Sequence, residues 1–217
     1  GYPLIKQAMN QGYEVVEYIL GHPVEPADEG LLREKFAGVP NVHSVSDGIT
    51  LLREHQPLLA SLTTLQLREF MLDSTVWMPQ RGEVIFKRND YSNTFFSILG
   101  GSVNIQVVAK DGAEVVFPVR AGEFFGEMGL LSGRRRSGTV VAGDDCVLVE
   151  TPRRSMLKLL NSASGVRRRL DEVSLKRIVL NYLDSSLSGS ELEHLVQEAK
   201  FKQYAVGEVL FNEGDKA

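Results

Sequence analysis

The spacing of hydrophobic positions predicts α-helices in the first third of the chain. Apolar residues recur three and four residues apart from Leu4 to Ile19, which is the period of an amphipathic helix, and a glycine and a proline then end the pattern. A second short helix is predicted over Asp28–Phe36. A polar, turn-rich linker is predicted over Ala37–Asp47, followed by a helical region from about Ile49 to Leu72.

The pattern then changes to short apolar runs separated by Gly, Asp and Asn, which is typical of β-strands joined by tight turns. The predicted strands are Val76–Met78, Glu83–Lys87, Thr94–Leu99, Ser102–Val108, Glu114–Val119, Ser137–Ala142 and Cys146–Glu150. Many short strands at this spacing favour a small antiparallel barrel or roll. Helical spacing returns over Ser155–Leu160 and Ser164–Leu183. We therefore predict an α+β fold, a jelly-roll-like antiparallel β-roll with helices before and after it.

An internal repeat lies near the end of the sequence. The apolar segment that begins at Leu62 and the Gly-Glu-Val-Ile-Phe run at Gly82 are answered by similar segments at Leu187 and Gly207, each 125 residues later. The segment from Leu187 onward could form only about two strands, and two strands cannot bury a sheet face by themselves. We therefore predict three parts: a helical segment and linker over 1–48, a β-roll domain over 49–186, and the start of a second, truncated copy over 187–217.

Composition narrows the function classes. The 217 residues are 43% hydrophobic and 24% charged, which is ordinary for a globular protein. A net charge of -4 gives no support for nucleic-acid binding, and a single cysteine excludes a disulfide framework or a multi-cysteine metal site. No apolar stretch approaches the roughly 20 residues of a membrane helix, and the N-terminus has no signal-peptide pattern. We expect a cytoplasmic protein with no membrane partner.

The segment from Gly122 to Val140 carries the most specific chemistry. Its glycines allow the backbone to approach a bound group closely, and the residues from Glu127 to Leu131 can form a helical turn that favours an anion. Arg136 can meet phosphate oxygens through its planar guanidinium. The carboxylate of Glu127 suits sugar hydroxyls, so the combination indicates a nucleotide.

These residues resemble the phosphate-binding cassette of the cyclic-nucleotide-binding domain family. The family pattern is F-G-E, then apolar, small and apolar residues, a short connection, and R-[S/A/T]-[A/G]-T-V. Phe125-Gly126-Glu127 and Arg136-Ser137-Gly138-Thr139-Val140 match both arms. Nine residues separate Glu127 from Arg136, as in protein-kinase-A regulatory domains and cyclic-nucleotide-gated channels, and the cassette is most similar to that of the bacterial channels. The resemblance covers roughly Pro57–Leu183.

The resemblance implies a role for each matching position. Glu127 would accept a hydrogen bond from the ribose 2′-hydroxyl, and Arg136 and Ser137 would bind the cyclic phosphate. The base would lie against Val116 or Phe117 and be covered by the final helix, where Arg169, Leu170 and Tyr182 are candidates. A serine at position 137 favours cAMP over cGMP. The implied ligand-binding residues are Phe125, Gly126, Glu127, Met128, Gly129, Arg136, Ser137 and Gly138, with no metal and no other cofactor.

The function expected from these residues is regulatory. No catalytic dyad or carboxylate pair is recognisable, so the module is not expected to be an enzyme; ligand binding would instead move the C-terminal helix and act on an effector domain in cis. Residues 3–19 weakly resemble the closing helix of thioredoxin-reductase-like flavoproteins, which leaves open that the chain is the regulatory tail of an oxidoreductase. A degenerate pocket that serves as a scaffold or homodimer interface is the other alternative.

Overall fold

The computed structural model of the protein describes residues 26–108, 112–133, 135–179, 187–199, 204–210 and 212–214. The chain divides into two compact units, residues 1–171 and residues 172–217. The predicted helix over 4–19, with its resemblance to a flavoprotein, lies outside the described residues.

In the described part of the chain, three helices precede the sheet structure: α1 (Pro26–Lys35), α2 (Val45–His55) and α3 (Thr64–Asp73). The predicted linker over 37–47 ends too late, because Ser44 caps α2 and its Oγ accepts a hydrogen bond from the amide of Asp47 at 3.1 Å. The predicted helical region from 49 to 72 is two helices. They are separated by a turn after Gln56, where Pro57 removes a backbone donor.

Eight strands follow among the described residues, and they form two four-stranded antiparallel sheets with the orders β1-β8-β3-β6 and β2-β7-β4-β5. The strands are β1 (Thr75–Trp77), β2 (Val84–Phe86), β3 (Thr94–Gly100), β4 (Ser102–Val108), β5 (Glu114–Arg120), β6 (Phe124–Phe125), β7 (Thr139–Ala142) and β8 (Val147–Pro152). The α+β prediction with an antiparallel roll is confirmed. The sequence analysis did not predict β6, which has only two residues.

The two sheets enclose an apolar core. Phe96, Ile98, Phe125, Val140 and Leu148 are each at most 2% exposed within it. The rings of Phe96 and Phe125 stack at 4.8 Å between centroids, and such aromatic pairs contribute beyond their buried area. This core fixes the end of β6 and the start of β7, and the two halves of the candidate site follow the one and precede the other.

Strand β5 is an edge strand that pairs with β4 in the described sheet. Pro118 stands in the middle of it, opposite Asn104, which fits the confinement of proline to sheet edges. The strand alternates its side chains, so Phe117 packs against the core while Val116 is 56% exposed.

Helix α4 (Glu127–Ser132) lies between β6 and β7, and helices α5 (Arg153–Ser162) and α6 (Ser164–Ile178) follow the roll. Pro152 precedes α5 and gives it no side-chain cap. Asp73, at the end of α3, accepts a hydrogen bond from Ser155 in the first turn of α5 at 2.7 Å. A carboxylate in this place is favourable because it faces the positive end of the helix dipole.

The second unit contains α7 (Gly189–Glu198), which begins with a capping box. The amide of Ser188 donates to the Glu191 carboxylate at 2.9 Å, and the Ser188 hydroxyl accepts from the amide of Glu191. Residues 180–186, which include Tyr182, lie outside the described residues.

Candidate ligand-binding site

The candidate site lies where the two sheets come together, and Gly126 is its central residue. This residue follows β6 and precedes the short helix α4 (Glu127–Ser132). Its φ of 86° lies in the left-handed region that favours glycine. A Cβ atom here would lie 3.1 Å from the carbonyl oxygen of Thr94. The sequence therefore needs a glycine at this point to turn the chain into α4 against the start of β3.

The guanidinium of Arg136 occupies the space beside Gly126. Its Nη1 donates to the carbonyl oxygen of Gly126 at 3.1 Å, and its Nε donates to the Ser92 hydroxyl at 2.6 Å. Its Nη2 donates to the carbonyl and hydroxyl oxygens of Thr94 at 2.7 Å and 3.2 Å. The ring of Phe86 lies beneath it, 4.1 Å from Cζ, as a cation–π contact. Arg136 is thus held in one orientation.

Two opposite charges are buried in this site. Glu127 is 2% exposed and Arg136 is 3% exposed, and residues of these types are almost never so buried unless they are compensated. Burial lowers the pKa of Arg136, while the carboxylates of Glu127, Glu150 and Asp90 act in the opposite direction. The attraction of these three carboxylates therefore favours the charged form of the buried guanidinium.

The backbone of Arg136 is fixed as well as its side chain. Its amide donates to the carbonyl of Asp90, and its carbonyl accepts from the amide of Asn89, both at 2.9 Å. Asn89 has a φ of 70°, a conformation that asparagine tolerates better than most residues. The loop between β2 and β3 therefore holds the second arm of the site.

The remaining predicted site residues divide between core and surface. Phe125 is 1% exposed and belongs to the aromatic core. Met128 is half-buried and Gly129 is buried on α4, whereas the side chain of Ser137 is exposed. A Cβ atom on Gly138 would lie 2.7 Å from the carbonyl oxygen of Gln106, so this glycine permits close packing against β4.

Sequence reasoning missed Ser92, Thr94 and Phe86. They contact Arg136 across 42 to 50 residues of sequence, a separation at which spacing carries no signal. The one available sign was the position of Thr94 at the start of a predicted strand. A strand end beside a turn is where functional side chains collect, because loops over a rigid scaffold carry most binding residues.

The candidates for base contact fall in different places. Phe117 faces the core side of β5, whereas Val116 points to the opposite face. Leu170 is fully buried and Arg169 is exposed.

The described part of the chain contains neither a candidate metal-binding cluster nor a candidate membrane-spanning helix. No cluster of three or more His, Cys, Asp or Glu side chains that could hold a metal occurs there. Within the same residues, no helix has both the length and the apolar character needed to cross a bilayer.

The described residues thus combine an antiparallel β-roll with a buried glutamate and a buried arginine beside a glycine turn. Residues 79–163 match the model of the cyclic nucleotide-binding domain family. The resemblance noted in the sequence is thereby confirmed over that segment of the chain.

Curated relatives agree with this assignment. The chain is 31% identical over 111 residues to the cAMP-dependent protein kinase regulatory subunit of Mycosarcoma maydis, an alignment over 49% of the chain and 19% of that relative. It is 28% identical over 135 residues to the same subunit of Blastocladiella emersonii, over 62% of the chain and 33% of the relative. The chain thus spans a fifth to a third of the length of these relatives.

Solved structures share the fold. The regulatory domain of Toxoplasma gondii PKA with cAMP matches 59% of the chain and 49% of its own length at a TM-score of 0.52 and 18% identity. The sensor domain of the transcriptional regulator DNR from Pseudomonas aeruginosa matches 66% of the chain and 96% of its own length at 0.53 and 18%.

Proposed function

We propose that this domain binds a cyclic nucleotide as a regulatory ligand, with cAMP preferred over cGMP. The observation that carries the proposal is the buried pair of Glu127 and Arg136 on either side of the Gly126 turn. An arginine and a glutamate buried together beside a glycine turn suit a ligand with a phosphate at one end and sugar hydroxyls at the other.

In this proposal Arg136 pairs with the cyclic phosphate and Glu127 accepts the ribose 2′-hydroxyl. Gly126, Met128 and Gly129 present backbone groups to the sugar-phosphate, and the exposed hydroxyl of Ser137 donates to the phosphate. Gly138 acts by letting this arm approach β4. Phe125 supports the turn from the core.

An apolar surface suited to the base lies on the core-facing side of β4 and β5. Ile105 pairs with Phe117, and Val107 pairs with Val115 two residues further along the same face. Ile105 and Phe117 pack against the core, whereas Val115 is 43% exposed. We therefore propose that Val115, and not Val116, contacts the base, because Val116 lies on the opposite face of the sheet.

The preference for cAMP rests on two supports. Serine at position 137 offers one small hydroxyl, and the relatives that match the chain are named as cAMP-dependent protein kinase regulatory subunits.

Calorimetric titration of the purified chain with cAMP and cGMP tests the proposal, with 5′-AMP as a matched control that has an open phosphate of higher charge. We expect saturable heat for cAMP, weaker binding of cGMP, and much weaker binding of 5′-AMP. Absence of heat for both cyclic nucleotides at millimolar concentration would refute the proposal and favour the scaffold alternative.

The proposal includes a regulatory output. Ligand binding would order the segment around α4 and move the C-terminal helix, with about 1–3 kcal/mol available for coupling. An effector domain in cis would receive this change; a cytoplasmic location gives the site access to a second messenger. The oxidoreductase tail remains a prediction for the N-terminal residues, and a homodimer is left open.

We also propose that residues 187–217 begin a second copy of the module. Thr63 and Gln66 form a capping box in the first copy, as Ser188 and Glu191 do in the second. The turns at Gly82-Glu83 and at Gly207-Glu208 also share their geometry. Gly82 and Gly207 have φ of 85° and 87°, and each following glutamate accepts from the amide three residues earlier, at 2.9 Å and 2.8 Å.

A further inference from the structure

The loop between β2 and β3 controls where the guanidinium of Arg136 points. Ser92 near the end of this loop and Thr94, the first residue of β3, supply three of the four oxygen atoms that accept hydrogen bonds from the guanidinium. Asn89 and Asp90 pair with the Arg136 backbone from the same loop. Backbone and side chain are thus fixed by one short segment.

The chemistry of these contacts is as informative as their number. Each of the four acceptors is a neutral hydroxyl or carbonyl oxygen. The carboxylates of Glu127, Glu150 and Asp90 act on Arg136 through their field. Neutral acceptors orient a guanidinium without cancelling its charge, so the cation keeps its attraction for an anion.

Ser92 is the most specific of these contacts. Its Oγ accepts from Nε at 2.6 Å, and Nε is the nitrogen that fixes the rotation of the guanidinium plane about the side chain. One face of the guanidinium plane lies over the ring of Phe86, with Cζ 4.1 Å from the ring centroid. The hydrogen bond from Nε to Ser92 and the stacking on Phe86 together determine the rotation of the guanidinium plane.

We infer that Ser92, supported by the Thr94 hydroxyl, is a positioning residue that aims Arg136 at the anionic group of the ligand. The inference rests on the proposed function, because it names how that site recognises its phosphate. Ser92 acts only through Arg136 in this proposal and does not itself contact the ligand.

The test compares Ser92→Ala with Ser92→Thr, which keeps the hydroxyl, and with Asn93→Ala, a change of an exposed neighbour. Titration of the full chain uses cAMP and adenosine, which has no phosphate. We expect Ser92→Ala to weaken cAMP binding about tenfold, the value of one charge-assisted hydrogen bond. Binding of adenosine, measured by competition, is expected to stay within about twofold, and so is binding of cAMP to the other two variants.

A double-mutant cycle with Arg136→Lys gives a second readout. Lysine has no Nε, so adding Ser92→Ala to Arg136→Lys is expected to cause no further loss of cAMP affinity. If Ser92→Ala does not fold, Thr94→Val removes the weaker hydroxyl contact and keeps the β-branched shape, with an expected loss of about threefold for cAMP alone.

The outcomes separate the two proposals. If the wild-type chain fails to bind cAMP, the proposed function fails. If the wild type binds and Ser92→Ala binds equally well, or loses cAMP and adenosine to the same degree, the positioning role is overturned. Failure of Ser92→Thr to restore affinity, or additive losses in the cycle, would overturn it as well.

Discussion

The carbonyl oxygen of Gly126 lies 3.1 Å from Nη1 of Arg136, and a Cβ atom on this glycine would lie 2.7 Å from the same nitrogen. The turn and the guanidinium therefore share one space. A side chain at Gly126 would displace the arginine even if the backbone kept its conformation.

Gly126→Ala is expected to lower the stability of the domain by about 1–3 kcal/mol, because alanine is strained at a positive φ, and to weaken cyclic-nucleotide binding as well. Gly133→Ala is the matched control at the other end of α4. Its φ is 65°, but no atom lies within 4 Å of its Cβ position. Urea unfolding and titration of both variants measure the two effects. Equal losses of affinity in the two variants would show that the steric contact with Arg136 is unimportant.

Arg136→Lys keeps the charge and removes the planar fork. We expect cAMP binding to weaken by about 1.5–3 kcal/mol, the contribution of a hydrogen bond to a charged group. Arg135→Lys is the control. Arg135 is exposed and contacts the carbonyl of Asn89 at 3.0 Å and the ring of Tyr91. An affinity for cAMP that is as low in the Arg135 variant as in the Arg136 variant would contradict the assignment of the phosphate contact.

Alkaline pH is expected to destabilise the roll through Cys146. Burial raises the pKa of this thiol from 9.0 to about 11, so the folded state retains a proton that the unfolded state releases. The contribution of the thiol to stability is complete below pH 9 and is lost as the pH rises toward 11. Replacing Cys146 by alanine is expected to flatten the pH dependence of the urea midpoint in this window. A slope that persists unchanged in the variant would assign the effect to other groups.

Asp73→Ala is expected to lower the free energy of unfolding by about 1 kcal/mol, as the loss of a helix cap does. The carboxylate accepts from Ser155 at the start of α5, which has no side-chain cap of its own. Asp144→Ala is the comparison, since its ion pair with Arg81 is more than two-thirds exposed on both sides. Exposed pairs contribute about 0–1 kcal/mol. A larger loss in Asp144→Ala than in Asp73→Ala would contradict this account.

Local sequence pattern was sufficient where the structure depends on neighbours in the chain. Strand β4 has the predicted bounds of Ser102–Val108, because turn residues flank a run with strand propensity. The cassette arms were recognisable since the spacing between Glu127 and Arg136 is itself local.

Other features depend on contacts that sequence spacing does not encode. Strand β6 has two residues and forms because Phe96 pairs with Phe125 across the sheet. Whether Val116 or its neighbours lie on the core-facing side depends on the register of β5 against β4, and a shift of one residue would exchange the two faces. The contact of Ser92 with Arg136 requires the whole roll to close.

Pro118 gives the exposed edge of β5 a further property. A free edge with β-branched residues at Val115 and Val116, 43% and 56% exposed, is the kind of surface that recruits a strand from another molecule. Proline supplies no backbone donor for such pairing at the centre of the strand. In the described sheet, this edge is thereby protected against intermolecular sheet growth, which disfavours aggregation through β5.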